Sequence, residues 1–465
     1  MKTESQKSPV KIGDEIKIKI DRLGTNGEGI ARIENFTIFI PLALPDEIVL
    51  AKIVEVKKNY AIAELKKLIH AGSTRETPIC PYYPACGGCN LWHMKHSAQM
   101  KFKRDQIVDA VERIGKITDV KILPTLEMMN PDLKMHTSLF YRNKFQFPVG
   151  IHGKKILAGC FARGTHDIVN IERCLIQRSE NDQLLQAMRD AVEKFQIPIY
   201  NEDRHTGILR HLMGRVGFDG ALMAVFVTSK DSLPHSKEIC KFLRDRVPNL
   251  KSIQQNIQPQ RNNVILGRQT KILWGSESIT DRIGEFEFQI SARSFFQVNT
   301  TQAEVLYRKV LEFAELNGSE IVLDSYCGTG TISIFLAKHA RKVFGIEIVS
   351  SAIQDAWKNA RSNRIRNVEF LIGDANFLVP KLLHDEIYPD VIIVDPPRAG
   401  CESKVLETLA KMNPRKIIYV SCNPATLARD LEILKELGFI TKKIQPVDMF
   451  PMTSHVESVS LILRK

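Results

Sequence analysis

The chain has 465 residues, of which 44% are hydrophobic and 25% are charged, and its formal net charge is +12. This composition is typical of a soluble globular protein, and the length predicts about three domains. No stretch is long and apolar enough to cross a bilayer, and the N-terminus lacks the apolar core of a secretory signal, so we expect a cytoplasmic protein. The basic surplus favours a polyanionic partner, although a basic surface also keeps proteins soluble.

The N-terminal part of the chain alternates between apolar and polar side chains in short runs that turns separate. Residues 15–20, 36–40 and 48–53 read as antiparallel strands. About five such strands predict a small closed, OB-like β-barrel over residues 8–68. The turn at residues 27–32 and the strand spacing resemble a TRAM domain. This resemblance implies an RNA-binding barrel of the kind that is appended to RNA-modifying enzymes.

Three cysteines, Cys80, Cys86 and Cys89, follow the predicted barrel as a compact group. A metal site needs a fourth ligand, and Cys174 is the best candidate. The spacing alone leaves zinc and an iron–sulfur cluster open, and the four thiols could also be unrelated buried side chains. Nine cysteines in a chain without an export signal do not predict a disulfide framework. We expect the others, apart from Cys422, to be small buried apolar side chains: Cys160, Cys240, Cys327 and Cys401.

The middle of the chain mixes helices and strands without a clear chemical signature. Residues 93–115 read as a helix that ends at Gly115. Further helices are predicted at residues 182–195 and 236–246. Strands are predicted at residues 221–227 and 286–290, which indicates a central α+β region.

From about residue 300 onward, strands alternate with helices, which predicts a parallel, Rossmann-like sheet covered on both faces. The strand at residues 320–324 leads into a turn with Gly328 and Gly330, where glycine lets the backbone approach a ligand. Glu347 ends the next strand and could accept hydrogen bonds from both hydroxyls of a ribose. Asp374 follows the third strand, where it could contact an adenine edge, and Asp395 follows the fourth.

These features decide between two cofactors. A single Gly-x-Gly would fit a dinucleotide or a plain turn equally well. Glycine or acidic residues at the carboxyl ends of four successive strands instead favour S-adenosylmethionine over a nicotinamide cofactor.

A nucleophile and a proton acceptor are predicted at the end of the chain. Cys422 stands at the mouth of an apolar strand, and Glu457 opens the last one. Arg398 follows Asp395-Pro396-Pro397, where an amine methyltransferase would carry an aromatic residue. Uracil C5 becomes nucleophilic only after a thiolate adds to C6, and a base must then remove the C5 proton. The alternative is that Cys422 is an inert core thiol and Glu457 a solvated strand residue.

Five motifs together resemble the RNA uracil-C5 methyltransferase family, which makes 5-methyluridine in tRNA and 23S ribosomal RNA. They are residues 294–299, 324–330, 395–398, 421–424 and 455–457, and the resemblance extends over nearly the whole chain. It implies that Cys422 is the nucleophile, that Glu457 is the base and that Phe295 stacks on a flipped uracil. Asp395 would lie between cofactor and base, and Arg142, in the motif at residues 141–144, would contact RNA. The residues that would bind S-adenosylmethionine are Gln297, Tyr326, Gly328, Gly330, Thr331, Glu347, Asp374 and Asp395.

The resemblance also implies a [4Fe-4S] cluster on Cys80, Cys86, Cys89 and Cys174, and it points to the 23S rRNA branch of the family. The alternatives are a tRNA uracil-C5 methyltransferase, a non-catalytic RNA-binding or assembly factor, and a cytosine-C5 methyltransferase. The last uses a different sequence around its Cys nucleophile. The predicted domains are the TRAM barrel (8–68), a central cysteine-containing domain (69–92 and 125–290), a helix packed on the catalytic domain (93–124) and the methyltransferase domain (291–465).

Overall fold

The computed structural model describes residues 8–128, 139–153 and 155–465. Residues 1–7, where no secretory signal is predicted, lie outside this part. The first strands are β1 (Glu15–Lys19), β2 (Arg22–Leu23), β3 (Gly29–Ile33), β4 (Phe36–Ile40), β5 (Ile48–Val56) and β6 (Tyr60–His70). Their apolar side chains alternate with polar ones, so one face of the sheet packs into a small core around Ile38, Val49 and Ala61.

This N-terminal sheet differs from the predicted closed barrel. Its strand order is β1-β5-β6-β4-β3-β2, and among the described residues no pairing joins the edge strands β1 and β2. Both belong to one run that bends at Ile20 and Asp21. The amide of Ile20 donates to the Glu47 carbonyl at 2.9 Å, whereas that of Asp21 donates to the Ile30 carbonyl at 2.8 Å. Because the bend sends the two halves to different neighbours, they form opposite edges of one sheet.

The next elements are α1 (His96–Arg113), β7 (Lys121–Ile122), β8 (Lys144–His152), β9 (Lys155–Phe161), β10 (Ile168–Asn170), α2 (Ser179–Lys194), β11 (Leu209–Val216), β12 (Leu222–Thr228), α3 (Ser236–Arg246), β13 (Leu250–Ile257) and β14 (Gln269–Gly275). The central sheet has the order β10-β9-β8-β11-β12-β13-β14, with only β12 and β13 parallel. Helices α2 and α3 pack on it around Phe145, Leu184 and Phe226. The predicted α+β character of this region agrees with that arrangement.

The C-terminal elements are β15 (Ser278–Ile283), β16 (Phe286–Ser291), α4 (Thr300–Ala314), β17 (Ile321–Asp324), α5 (Thr331–Ala337), β18 (Lys342–Glu347), α6 (Ser350–Ser362), β19 (Val368–Ile372), α7 (Ala375–His384), β20 (Val391–Val394), α8 (Ser403–Lys411), β21 (Lys416–Ser421), α9 (Pro424–Glu436), β22 (Phe439–Val447) and β23 (Glu457–Arg464). Strands β15 and β16 pair as a separate hairpin, and β17 to β23 form a sheet with β7 in the order β19-β18-β17-β20-β21-β23-β22-β7. Strands β17 to β21 are parallel, and a hydrophobic core lies on each face. The predicted Rossmann-like fold is confirmed. Its last strand, β23, runs antiparallel to both neighbours.

Two elements from earlier in the chain pack on this C-terminal sheet. Helix α1 contributes Ile107 and Val111 to one core and packs against α9 and β22. The β15–β16 hairpin contributes Phe286 and Phe288 to the core on the other face. The hairpin therefore shares a core with the sheet, although all but its last residue lie before residue 291, where the predicted catalytic domain begins. None of the helices in the described ranges combines the length and apolar character needed to span a bilayer.

Candidate active site

The carboxyl ends of the parallel strands surround a cavity of about 1490 Å³. Because neighbouring parallel strands end at the same edge, residues that follow them in sequence meet there. We call it the donor cavity, because most residues predicted to bind the methyl donor S-adenosylmethionine line it. The predicted site residues in its lining are Phe295, Gln297, Tyr326, Gly328, Thr331, Glu347, Asp374, Asp395, Cys422 and Glu457. The two ends of the predicted chemistry, donor binding and nucleophile, thus share one space.

Two of the residues predicted to bind S-adenosylmethionine or RNA do not line the donor cavity. Gly330 adopts a left-handed backbone with φ of 78°, and a Cβ there would lie 2.9 Å from the Phe370 ring and 3.0 Å from Ala356. The glycine therefore permits the turn to pack closely. Arg142 lies instead in a separate cavity among the cysteines.

Backbone amides fix the two acidic residues at the donor end. Glu347 accepts hydrogen bonds from the amides of Gly328 at 3.2 Å and Val349 at 2.7 Å. Asp374 caps α7 and accepts from the amide of Asn376 at 2.8 Å. Both carboxylates are therefore held in place at the cavity wall before any ligand arrives.

The donor end also fits a nucleoside-sized ligand. A Cβ placed on Gly328 would meet no atom within 4 Å, so the backbone there borders open space. The hydroxyl of Ser325 and the side-chain carbonyl of Asn376 are buried and have no hydrogen-bond partner among the described residues, and both residues line the cavity. Buried polar groups are normally paired, so these two are suited to a polar ligand.

Cys422 occupies the one position between a strand and a helix cap. Strand β21 ends at Ser421, and Asn423 caps α9 by accepting from the amide of Ala425 at 3.0 Å, with Pro424 in the first turn. The side-chain amide of Asn423 also donates to the Arg398 carbonyl at 3.1 Å. The sequence Ser-Cys-Asn-Pro thus fixes the thiol between strand and helix and ties it to the loop after Asp395.

Glu457 reaches the same edge because β23 is antiparallel. Ser421 pairs with Ser458, so the first residue of β23 lies beside the residue that follows β21. A parallel β23 would have placed Glu457 at the opposite edge. The side chain of Glu457 is 8% exposed.

Burial dominates the electrostatics of this group. Burial raises the pKa of Glu457 to about 8, and the nearby Asp395 carboxyl adds to this shift. Burial likewise raises the pKa of Asp395 to about 7, to which the Asp324 carboxyl adds. Burial, with Glu457 and Asp395, also raises the pKa of the Cys422 thiol to about 11. The Arg398 guanidinium opposes the shifts of Glu457 and Cys422, so it favours the ionised form of both groups.

Three further side chains line the part of the cavity that holds Cys422 and Glu457, the catalytic end: the aromatic ring of Phe295 and the side chains of Arg398 and His455. Phe295 is 71% exposed, which leaves a ring face free at the cavity wall. Arg398 and His455 line both the donor cavity and a second cleft of about 1110 Å³ that also reaches Cys422. Both residues lie within the motifs found in the sequence, but residue spacing gave neither of them a role.

The predicted four-cysteine cluster is not supported as a formed site. In the described parts of the chain, no three Cys, His, Asp or Glu side chains converge as a metal ion requires. Cys80 and Cys89 pack near Trp92, Cys86 packs in the core of the central sheet, and Cys174 contacts both groups. The thiols are thus spread around a cavity of about 250 Å³.

The remaining cysteines divide into two kinds. Cys160 was expected to be a buried apolar side chain, but it is only partly buried and lines the same cavity as the other four thiols. Cys240, Cys327 and Cys401 are buried, as predicted.

Comparison with known proteins decides the family. A model of the tRNA (uracil-5-)-methyltransferase family matches residues 126–465, and a TRAM domain model matches residues 9–66. The chain belongs to the RNA uracil-5-methyltransferase family. It is an S-adenosylmethionine-dependent RNA methyltransferase that carries a TRAM domain. This result argues against the alternative of a non-catalytic RNA-binding factor.

Individual relatives of this RNA methyltransferase match along almost its whole length. It is 45% identical over 458 residues to an uncharacterized RNA methyltransferase of Halalkalibacterium halodurans, covering 98% of both chains. A Bacillus cereus protein with the same description is 46% identical over 457 residues, again covering 98% of each chain. The crystal structure of Pyrococcus abyssi tRNA (uracil-54, C5)-methyltransferase with S-adenosyl-L-homocysteine is similar, with a TM-score of 0.76 and 28% identity, covering 96% of this chain and 99% of that one.

Proposed function

We propose that this protein methylates uracil C5 in RNA, most specifically in 23S rRNA, with Cys422 as nucleophile and Glu457 as base. One observation carries the proposal. Cys422 and Glu457 lie at the same edge of the sheet, in the cavity that also holds the predicted donor-binding residues. A thiol and a carboxyl beside a methyl-donor site are the two groups that C5 methylation of a pyrimidine requires.

The target base must first leave its stack, because C6 of a stacked uracil is out of reach of a thiol. The exposed ring of Phe295 offers a face on which the extruded uracil stacks. Gln297, Tyr326, Glu347 and Asp374 would hold S-adenosylmethionine, which would supply an electrophilic methyl group. Asp395 would lie between the cofactor and the base.

Cys422 acts as a thiolate after its proton passes to solvent; burial opposes this ionisation by raising the thiol pKa to about 11, and the Arg398 guanidinium favours it. Its sulfur forms a bond to C6, and the C5–C6 π electrons move to O4 as an enolate. The enolate carbon C5 would then take the methyl group as the bond between that methyl and the S-adenosylmethionine sulfur breaks, leaving S-adenosylhomocysteine. Glu457 removes the C5 proton, the C5–C6 double bond re-forms, and the carbon–sulfur bond breaks to return the thiolate. The proton passes from Glu457 to solvent, which restores the site.

A fluorinated substrate tests the nucleophile. When fluorine replaces the C5 hydrogen, Glu457 has no proton to remove, so the carbon–sulfur bond persists. RNA containing 5-fluorouridine, incubated with the protein and S-adenosylmethionine, should give a covalent adduct on a denaturing gel. Cys422→Ala should lose both the adduct and activity, whereas Cys240→Ala, on the central helix α3, should keep both. An active Cys422→Ala protein would disprove the nucleophile assignment.

The RNA class needs its own experiment. The 23S rRNA assignment comes from the family resemblance, which connects the combination of TRAM domain and cysteines with that branch. The match to the Pyrococcus abyssi tRNA enzyme covers 96% of this chain, so it includes most of the N-terminal sheet. That sheet therefore does not separate the two substrates. Mapping 5-methyluridine in both RNAs from cells with and without the gene should show one uridine losing its methyl group, and a loss confined to tRNA would overturn the 23S assignment.

We further propose that the cysteine cavity binds an iron–sulfur cluster, with zinc as the alternative. Five thiols line it together with Arg142 and Lys144. Among the described residues, Arg142 and Lys144 form no ion pair with a carboxylate, and burial, with Arg215 and Arg142, lowers the pKa of Lys144 to about 7. A negatively charged occupant, such as a thiolate-ligated cluster, would pair with Arg142 and favour the charged form of Lys144. The thiols would have to converge on binding.

Metal analysis tests this cofactor. Protein purified without oxygen should be brown and contain iron and acid-labile sulfide in equal amounts, about four of each per chain for a cubane. Cys86→Ser or Cys174→Ser should remove the colour, and Cys240→Ser should not. Stoichiometric zinc in a colourless protein would establish the alternative, and a metal-free protein would exclude both.

A further inference from the structure

A groove of about 740 Å³ leads away from the catalytic end along the central sheet. Its floor includes Gln146 on β8 and His211 on β11, and one wall is the turn after β9. The groove extends to His455, which also lines the donor cavity and the cleft beside Cys422. An RNA strand whose uracil is at Cys422 can therefore continue into this groove.

The floor presents polar atoms that the protein itself does not satisfy. Met213 pairs with Gln146 and His211 with Pro148, so Gln146 and His211 lie on the same face of the sheet. The Nδ1 atom of His211 is buried and has no hydrogen-bond partner among the described residues. The side-chain amide of Gln146 has only a weak contact with the Met213 sulfur at 3.5 Å. Buried polar atoms without partners are uncommon, so the Nδ1 atom of His211 points to a partner from outside the chain.

The chemistry of these groups selects a neutral ligand. Burial, together with Arg210, lowers the pKa of His211 to about 4, so the imidazole is neutral at physiological pH. A neutral imidazole has one donor and one acceptor, and the Gln146 amide has both as well. The neighbouring Arg210 guanidinium is engaged with the carbonyls of Gln258 at 3.0 Å and Gln260 at 2.6 Å. The floor therefore matches the edge of a nucleobase better than a phosphate.

The wall of the groove supplies aromatic surface. Phe161 and His166 pack edge to face, with ring centroids 5.2 Å apart, and both line the groove. No hydrogen bond of the His166 ring is formed within the described residues, and the residue is exposed. Splayed RNA bases are commonly held by aromatic rings together with hydrogen bonds to their edges.

We propose that this groove binds one nucleobase from a nucleotide close to the target uridine, read by His211 and Gln146. The inference rests on the proposed function, because it assumes that a uracil in the same strand occupies the catalytic end. The groove would then make methylation depend on the sequence around the uridine as well as on RNA shape.

Synthetic RNAs carrying the mapped uridine test the groove. Each of the three nucleotides on either side is changed in turn to the other bases, and kcat and KM are measured. The wild type should discriminate at one flanking position by about tenfold, the scale of a good contact to a base edge. His211→Ala and Gln146→Leu should abolish that preference and raise KM for the preferred RNA. His211→Asn, which keeps a donor and an acceptor, should restore part of it.

The controls separate the outcomes. His205→Ala, at an exposed histidine bonded to Tyr200 outside the groove, should keep the preference. S-adenosylmethionine affinity should be unchanged in all variants, which shows that they are folded. Variants that methylate with the wild-type preference would overturn the groove inference alone. A wild-type protein that forms no 5-methyluridine in any RNA would overturn the proposed function instead.

Discussion

Glu457 combines a proposed role as base with an environment that disfavours its charge. Burial raises its pKa to about 8, and the nearby Asp395 adds to the shift. A carboxyl accepts a proton only when it is ionised, and the ionised fraction rises with pH. The step that needs Glu457 should therefore be slow at pH 6 and reach its limit above about pH 8.

Replacing the Glu457 carboxyl should separate thiolate addition and methyl transfer from the later removal of the C5 proton. Glu457→Gln should still add to C6 and accept the methyl group, but it should release product poorly, because no base removes the C5 proton. A covalent protein–RNA adduct should thus accumulate on unmodified RNA. In the wild type, the single-turnover release rate should rise through about pH 8, and in the variant this rise should be absent.

The matched control is Glu407→Gln, at an exposed position on α8. It should leave both the release rate and its pH dependence unchanged. Wild-type turnover of Glu457→Gln would show that water or another group is the base.

At the scale of elements, a buried ion pair joins α1 to the segment that leads to Glu457. Lys103 of α1 and Asp448, directly after β22, are both fully buried and in contact. Lys103 also donates to the Phe450 carbonyl at 3.0 Å, and His96 lies 3.5 Å from the Asp448 carboxylate. The pair therefore anchors the connection between β22 and β23 to α1. This connection contains His455 and leads directly to Glu457, and both residues line the donor cavity.

Removing one partner of this pair should destabilise the protein strongly. Lys103→Met leaves the buried Asp448 with His96 as its one charged neighbour among the described residues, and breaking a buried pair typically costs about 3–5 kcal/mol. Denaturant unfolding should show this loss, and Lys103→Met/Asp448→Leu should recover part of it. Lys101→Ala removes an exposed pair on the same helix and should cost below about 1 kcal/mol. Equal losses in the two single variants would show that the buried pair has no special role.

At the scale of the whole molecule, the N-terminal sheet faces the catalytic end. The cleft that reaches Cys422 is lined by Arg22 and Asn26 of this sheet, by Lys101 and Arg113 of α1, and by Arg398. Leu44 shares a small core with Leu91 and Phe102, so the sheet is packed on its neighbours. Deleting it would expose that core. Charge variants are therefore a cleaner test of its part in RNA binding.

Among the basic residues of the sheet, Lys17, Arg32 and Lys58 are exposed and form no ion pair within the described residues. Replacing all three with Gln should weaken binding of a long rRNA fragment at low salt. The slope of log K against log salt should flatten by about 0.7–0.9 for each phosphate that the variant no longer neutralises. S-adenosylmethionine affinity should not change, because the donor cavity lies elsewhere. An unchanged salt slope would mean that these residues do not contact RNA.

The sequence predicted much of the candidate site because its residues follow strands directly. Glu347, Asp395 and Cys422 each terminate an apolar run, and parallel strands bring such positions to one edge whatever the rest of the fold does. The groove residues Gln146 and His211 could not be found in this way, because each lies inside a strand and their meeting depends on the pairing of β8 with β11.

The sequence by itself determined the types of most elements, the family and the residues that we propose carry the chemistry. These follow from local patterns and motifs, which a chain expresses without its tertiary contacts. The tertiary structure decided what depends on distant pairings: the antiparallel β23 that brings Glu457 to Cys422, the placement of β1 and β2 at opposite edges of the N-terminal sheet, and the contact between Lys103 and Asp448. It also placed Cys160 beside the other thiols without drawing them into a metal site. Such contacts join residues far apart in the chain, and no local pattern records which partner a buried charge, an edge strand or a thiol will meet.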